Sequence, residues 1–201
     1  MIGATAGVTI GACRTARPSP DMPLRTSPDR IARLVANYLV ADYRWEHDGV
    51  WRALRIGEPA PDVDAAFPDA VRFGLMTAAN PGQQLRADID NRSADRALQR
   101  CLDQHGLRYR PAFVAATNRV WRAYNWLVVA PEIEVFDALA RDFGQVGTLL
   151  WPRGAPVRLR MHAAVPPAFG GHPHVDWIDA DAAHGMTPPS GTAGTKSAHS
   201  P

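Results

Sequence analysis

Lysine is all but missing from these 201 residues: Lys196 is the only one, and arginine supplies the other basic side chains. Together with the alanine and proline content, that bias reads as a property of the coding sequence, not as phosphate binding. Twenty acidic residues nearly offset 22 basic ones and leave a formal charge of +2. Nothing in that balance calls for nucleic acid or an anionic membrane as partner. Cysteine is scarce too, with only Cys13 and Cys101. Cys101 falls on the apolar face of an expected helix and Cys13 in an irregular leading segment, so no disulfide is expected and a cytoplasmic location follows. Apolar runs stay well short of the ~20 residues of a membrane span. Ile10-Gly11-Ala12-Cys13 has the outline of a lipoprotein cleavage site, but it lacks a basic leader and an unbroken apolar stretch. No phosphate loop, dinucleotide fingerprint, serine elbow or zinc spacing is present, so no cofactor or metal is implied.

What remains is an ordinary globular composition, 46% hydrophobic and 21% charged, enough for one domain. Residues 1–26 have no periodicity and read as disordered. Ser27-Pro28-Asp29 opens a helix with a capping hydroxyl, a proline in the first turn and an acid at the positive dipole end. Ile31, Leu34, Val35, Tyr38 and Leu39 make its apolar stripe. Asp48-Gly49, between two runs rich in aromatic and branched residues, predicts a two-residue hairpin. Ile56 to Ala70, with three prolines, is expected as a surface loop.

From Val71 the pattern becomes regular. Val71–Ala78 reads as a central strand, with a helix after Asn91 or Ser93 that ends at Gly106. Strands follow at Tyr109–Thr117 and Arg122–Ala130, then a helix after Pro131 and a strand at Val146–Trp151. The alternating run Val157–Met161 is expected to be an edge strand with one wet face. Residues 163–201 read as a disordered tail rich in Pro, Gly and His. The expected fold is therefore α+β, one domain over residues 27–162. Its core is a ferredoxin-like split βαβ unit (βαββαβ), extended by an N-terminal helix, a β-hairpin and a C-terminal edge strand.

Several residues of this chain resemble a known family. Asn37-Tyr38-Leu39 to Tyr43, Ile56-Gly57, Thr77-Ala78-Ala79-Asn80-Pro81, Asn91 and Phe143-Gly144-Gln145 are similar, in that order, to the DUF3293 family of uncharacterised bacterial proteins. The resemblance covers roughly residues 34–161 and implies no activity. The family pattern carries a glutamate just before the small-aromatic start of the second core strand. This chain has Arg110-Pro111-Ala112-Phe113 there, so chemistry resting on that acid is not expected of it.

Candidate chemistry is sparse. Asp88 and Asp90 are better read as turn formers than as cation ligands, and His172, His174 and His184 lack a partner ligand pair. Asn80, Asn91 and Gln145 are neutral donor-acceptor groups, suited to orienting a polar ligand and equally to tying loops to backbone. In the expected topology they come to one rim of the sheet, with Arg119 or Trp121 at its margin. The free N–H groups of the first core helix would face the same rim. These residues favour a small-molecule-binding or enzymatic domain with an amide-lined cleft at one end of the sheet, taking an anionic or carbonyl-bearing ligand. One alternative is a protein–protein interaction module without catalysis, using the sheet face or its edge strand. A second is a nucleic-acid binder through Arg119, Arg122 and the nearby aromatics.

Overall fold

The computed structural model describes residues 27–116 and 122–178. The expected N-terminal disordered segment, Arg119, Trp121 and the end of the expected tail lie outside them. Helix α1 spans Pro28–Val40. Ser27 caps it by accepting from Arg30 N, and the stripe buries Ile31 and Val35. The Asp-Gly pair turns strand β1 (Asp42–His47) into β2 (Val50–Leu54). Both turn residues take positive φ, +52° at Asp48 and +75° at Gly49, as the sequence requires.

The proline-rich stretch that follows is not simply a loop. Pro61–Ala66 forms a short helix, α2, with Pro61 in its first turn. Ala60, Val63, Phe67 and Ala70 are buried at helical spacing. Proline fits the first turn because its missing N–H would have no partner there anyway.

The remaining elements are β3 (Arg72–Met76), α3 (Asp88–Gln104), β4 (Arg108–Ala115), β5 (Arg122–Val129), α4 (Ile133–Asp142), β6 (Gly147–Pro152), β7 (Leu159–Met161) and β8 (Val175–Trp177). Among the described residues four α-helices thus accompany one eight-stranded sheet, a mixed α+β fold. The strand order is β2-β1-β4-β5-β3-β6-β7-β8. Neighbours are antiparallel throughout, except for the parallel β7–β8 pair.

Because side chains alternate along a strand, each face of the sheet has its own core. Phe73, Leu75, Leu127, Val129, Leu149 and Trp151 join α1, α2, Tyr43 and Trp45 on one side. Met76, Val128 and Leu150 meet Leu98 and Leu102 of α3 and Phe136, Leu139 and Ala140 of α4 on the other. Gly74 lies in the middle of β3, where a Cβ would overlap the ring of Phe136.

Three expectations are corrected here. Val157–Met161 is not an edge, because β8 pairs with β7 through Leu159↔Val175 to Met161↔Trp177. Its wet face is wet only in part: Arg158 is about a third exposed, but Arg160 makes a bidentate ion pair with Asp137 of α4, at 2.7 and 2.6 Å. Residues 163–178 are not tail, since Val175 is buried and Phe169 packs edge-on against Trp177. Composition misled there because three residues of strand are enough once Arg158 clamps Asp176 at 2.8 and 2.6 Å. Finally, Cys101 is fully buried as expected but is disulfide-bonded, not a free thiol. That removes the argument from which a reducing compartment was expected. Among the described residues no helix is long and apolar enough to cross a membrane.

Candidate functional site

The residues that stood out in sequence fall on two loops that dock on each other. The first leaves β3. Thr77 Oγ1 donates to Tyr124 O at 2.6 Å and accepts from Ala79 N at 3.0 Å, which turns the chain sharply. Asn80 then adopts the left-handed conformation, φ +49° and ψ +56°, ahead of a single 3₁₀ turn over Pro81–Gln83. Asparagine tolerates that region better than other residues with a Cβ. The second loop leaves α4. Gly144 takes φ +62°, and a Cβ there would come within 2.8 Å of Pro81 Cβ. Gly82 N donates to Gly144 O at 2.7 Å and locks the two loops together.

Asn91 is not a helix cap. α3 begins at Asp88, about a turn earlier than expected, so Asn91 sits inside the helix and reaches back. Its Oδ1 accepts from Asn80 N at 3.0 Å, and its Nδ2 donates to Asn80 Oδ1 at 3.1 Å. Asn80 Oδ1 also accepts from Arg86 N at 3.0 Å. The earlier start puts Asp88 and Asp90 in the first turn, where their charge favours the positive end of the dipole. Gln145 is buried, and its Nε2 donates to Phe143 O at 3.1 Å and Ala79 O at 3.4 Å. Each of the three amides therefore ties backbone.

Asn80 and Gln145 also line one cavity, of about 210 Å³, between α1 and the sheet. Its wall includes Leu75, Val114, Leu149 and Leu159, with Tyr38, Gln83 and Asn125 among its polar groups. Asn91 does not line it but braces Asn80 from behind. Arg119 and Trp121 belong to the segment 117–121, outside the described residues, and Arg122 begins β5. Arg110 is not at the cavity; its guanidinium lies over the Phe67 ring, 5.9 Å from the centroid.

Two groups at this site were not singled out as candidates. Asn125 is buried in β5, where alternation puts it on the same face as Leu127 and Val129. The signal was available: it is a polar residue inside an otherwise apolar strand. Tyr38 belongs to the apolar stripe of α1, yet its hydroxyl accepts from Gln83 Nε2 at 2.6 Å. Gly147 makes room for it, since a Cβ there would lie 2.7 Å from the Tyr38 ring. Tyr43 donates to Tyr38 O at 2.9 Å.

Burial holds both phenols above their ordinary pKa of 10.0, and at Tyr38 it outweighs the lowering by the Gln83 hydrogen bond. At Tyr43 the proximity of Tyr38 adds to the effect of burial. The sign for stability follows by linkage. Above pH ~10 the unfolded chain releases these protons while the folded chain retains them, so stability falls as pH rises further. Urea titrations between pH 8 and 11.5 should show that fall, and Tyr38→Phe should make it shallower. An unchanged pH slope in the variant would mean that Tyr38 ionises normally.

Residues 76–147 match the model of a family described as "Protein of unknown function (DUF3293)". The match opens at the end of β3 and closes at Gly147, so it takes in both docked loops and one wall of the cavity. No curated protein and no solved structure matches the chain.

Proposed function

With residues 76–147 matching the DUF3293 family model, we propose that the chain binds a small molecule in the cavity between α1 and the sheet. We read the four strands β4-β5-β3-β6, with α3 and α4 on one face, as the split βαβ unit that holds it. What supports this is their order and antiparallel pairing, which is that of a split βαβ sheet read from its far edge. The observation that carries the functional reading is a concave apolar space that also buries amide side chains, Asn125 and Gln145. Ligand sites combine an apolar wall with a few fixed polar groups in this way. The ligand's apolar body would lie against Leu75, Val114, Leu149 and Leu159, and its polar group at the amide end. At 210 Å³ the space is smaller than the ~300–1,000 Å³ of pockets for drug-sized ligands, which limits the occupant to a small compound.

A thermal-shift screen of small metabolites tests the reading, because a compound that binds only the folded state raises the melting temperature. At a hundredfold excess over Kd the stabilisation is about 2.7 kcal/mol. Ala123→Phe, which fills the cavity from β5, should abolish the shift. A shift that survives this substitution places the ligand elsewhere, and a screen in which no compound stabilises the wild-type chain refutes the reading.

A further inference from the structure

The unspent hydrogen-bonding groups of the cavity specify what it takes. Asn125 Nδ2 donates to Ala123 O at 3.0 Å, and Gln145 Nε2 donates to Phe143 O and Ala79 O. Because those partners are backbone carbonyls, which only accept, neither amide can be turned around. Asn125 Oδ1 and Gln145 Oε1 are therefore fixed as acceptors, and neither has a partner among the described residues. Both side chains are at least nine-tenths buried, 4% and 5% exposed, and both line the cavity. Neither oxygen is among the fully buried atoms left without a partner, so each opens on the cavity that the two residues line and is placed to receive an N–H or O–H group.

The Tyr38–Gln83 pair supplies the opposite polarity. If Gln83 Nε2 donates to the Tyr38 hydroxyl, the phenolic proton is left over. If the amide is turned, Tyr38 donates to Gln83 Oε1 and the Nε2 protons are left over. Either way a donor remains, and both residues line the cavity.

Charge completes the argument. Among the described residues no Arg, Lys, His, Asp or Glu lines the cavity. The first turn of α3 carries Asp88 and Asp90, so that helix terminus is already occupied by negative charge. An anion would find two fixed acceptors and no cation in the wall.

Resting on the reading of this cavity as a ligand site, we propose that its ligand is an uncharged compound with a carboxamide or lactam group on a small apolar body. A primary carboxamide donates its two N–H groups to Asn125 Oδ1 and Gln145 Oε1, and a lactam its single N–H to one of them; the carbonyl accepts from Tyr38 or Gln83, and the apolar body rests on Leu75 and Leu149. Of the anionic and carbonyl-bearing ligands expected from sequence, this selects the second.

Matched pairs of fragments test it: benzamide against benzoate, and 2-piperidone against 5-aminopentanoate, measured by ligand-observed NMR on the intact chain. The expected result is binding of the amide member, at least tenfold tighter than the acid. Tyr38→Phe, which keeps the ring, should weaken amide binding roughly two- to tenfold, the size of one hydrogen bond. Asn125→Leu should weaken it further, and the wild-type comparison stands even if that variant does not fold. Equal or tighter binding of the acids at a site blocked by Ala123→Phe overturns the carboxamide assignment and leaves the cavity a binding site. Amide binding indifferent to both Tyr38→Phe and Ala123→Phe also overturns it. Failure of every pair to bind, while another compound does bind in the cavity, overturns the assignment alone; failure of all compounds overturns both readings.

Discussion

Replacing Asp137 with alanine is expected to cost the chain roughly 3–5 kcal/mol, the range for breaking a buried ion pair by removing one partner. Asp137 is buried, and the Arg160 side chain it holds is only 16% exposed. The substitution leaves that cation between α4 and β7 with no counter-charge. Most of the loss comes from the stranded Arg160, so Asp137→Ala combined with Arg160→Leu should recover much of it. Asp176→Ala provides the comparison. Its pair with Arg158 is equally short, but both side chains are about a third exposed, and exposed pairs contribute ~0–1 kcal/mol. Urea unfolding of the two single variants measures the difference directly. Equal costs would show that burial does not set the strength of these pairs.

Gly74→Val is the second large effect, at roughly 3 kcal/mol, the upper end of the usual cost of overpacking. Gly74 is hydrogen-bonded into the sheet on both sides, opposite Val128 and Leu150, so its backbone has no room to withdraw. The group it would strike is the fully buried Phe136 ring. Phe136→Leu in the same chain should relieve part of the penalty, giving a coupling energy of about 1 kcal/mol or more. Additive costs would mean that the valine is accommodated by something other than that ring.

Gly74 and Asp137 also show how far the sequence could be read. The apolar run through β3 announced a central strand, but nothing in Phe73-Gly74-Leu75 says that a phenylalanine some sixty residues later needs the missing Cβ. The alternation of Val157–Met161 was legible, and so was the polarity of Arg158 and Arg160. Their partners were not, because Asp137 lies next to Phe136 on α4 and looks solvent-facing until β7 is placed. Local signals with a local cause were dependable: the Ser27 cap, the Asp48-Gly49 turn, and Gly106 with φ +64°. Asn80 and Gln145 could be brought to one end of the sheet from topology. Asn91 could be placed there too, but its role as a brace depended on where α3 begins. Tyr38 was hidden for the opposite reason. It lies in a stripe that is mostly core, and only a cavity distinguishes a polar lining residue from a packing one.

The order of strands has a consequence for how the chain is made. β3 is completed at Met76, but its neighbours β5 and β6 do not appear until Val129 and Pro152 have been synthesised. The early hairpin β1–β2 likewise waits for β4. On the ribosome, therefore, an apolar strand and a hairpin edge both stand open while later segments are added. Loop closure over such separations must be met before any pairing rewards it, which slows folding. A nascent chain halted at Asp142 would hold β3 paired on one side only, with its other edge free to recruit a second chain.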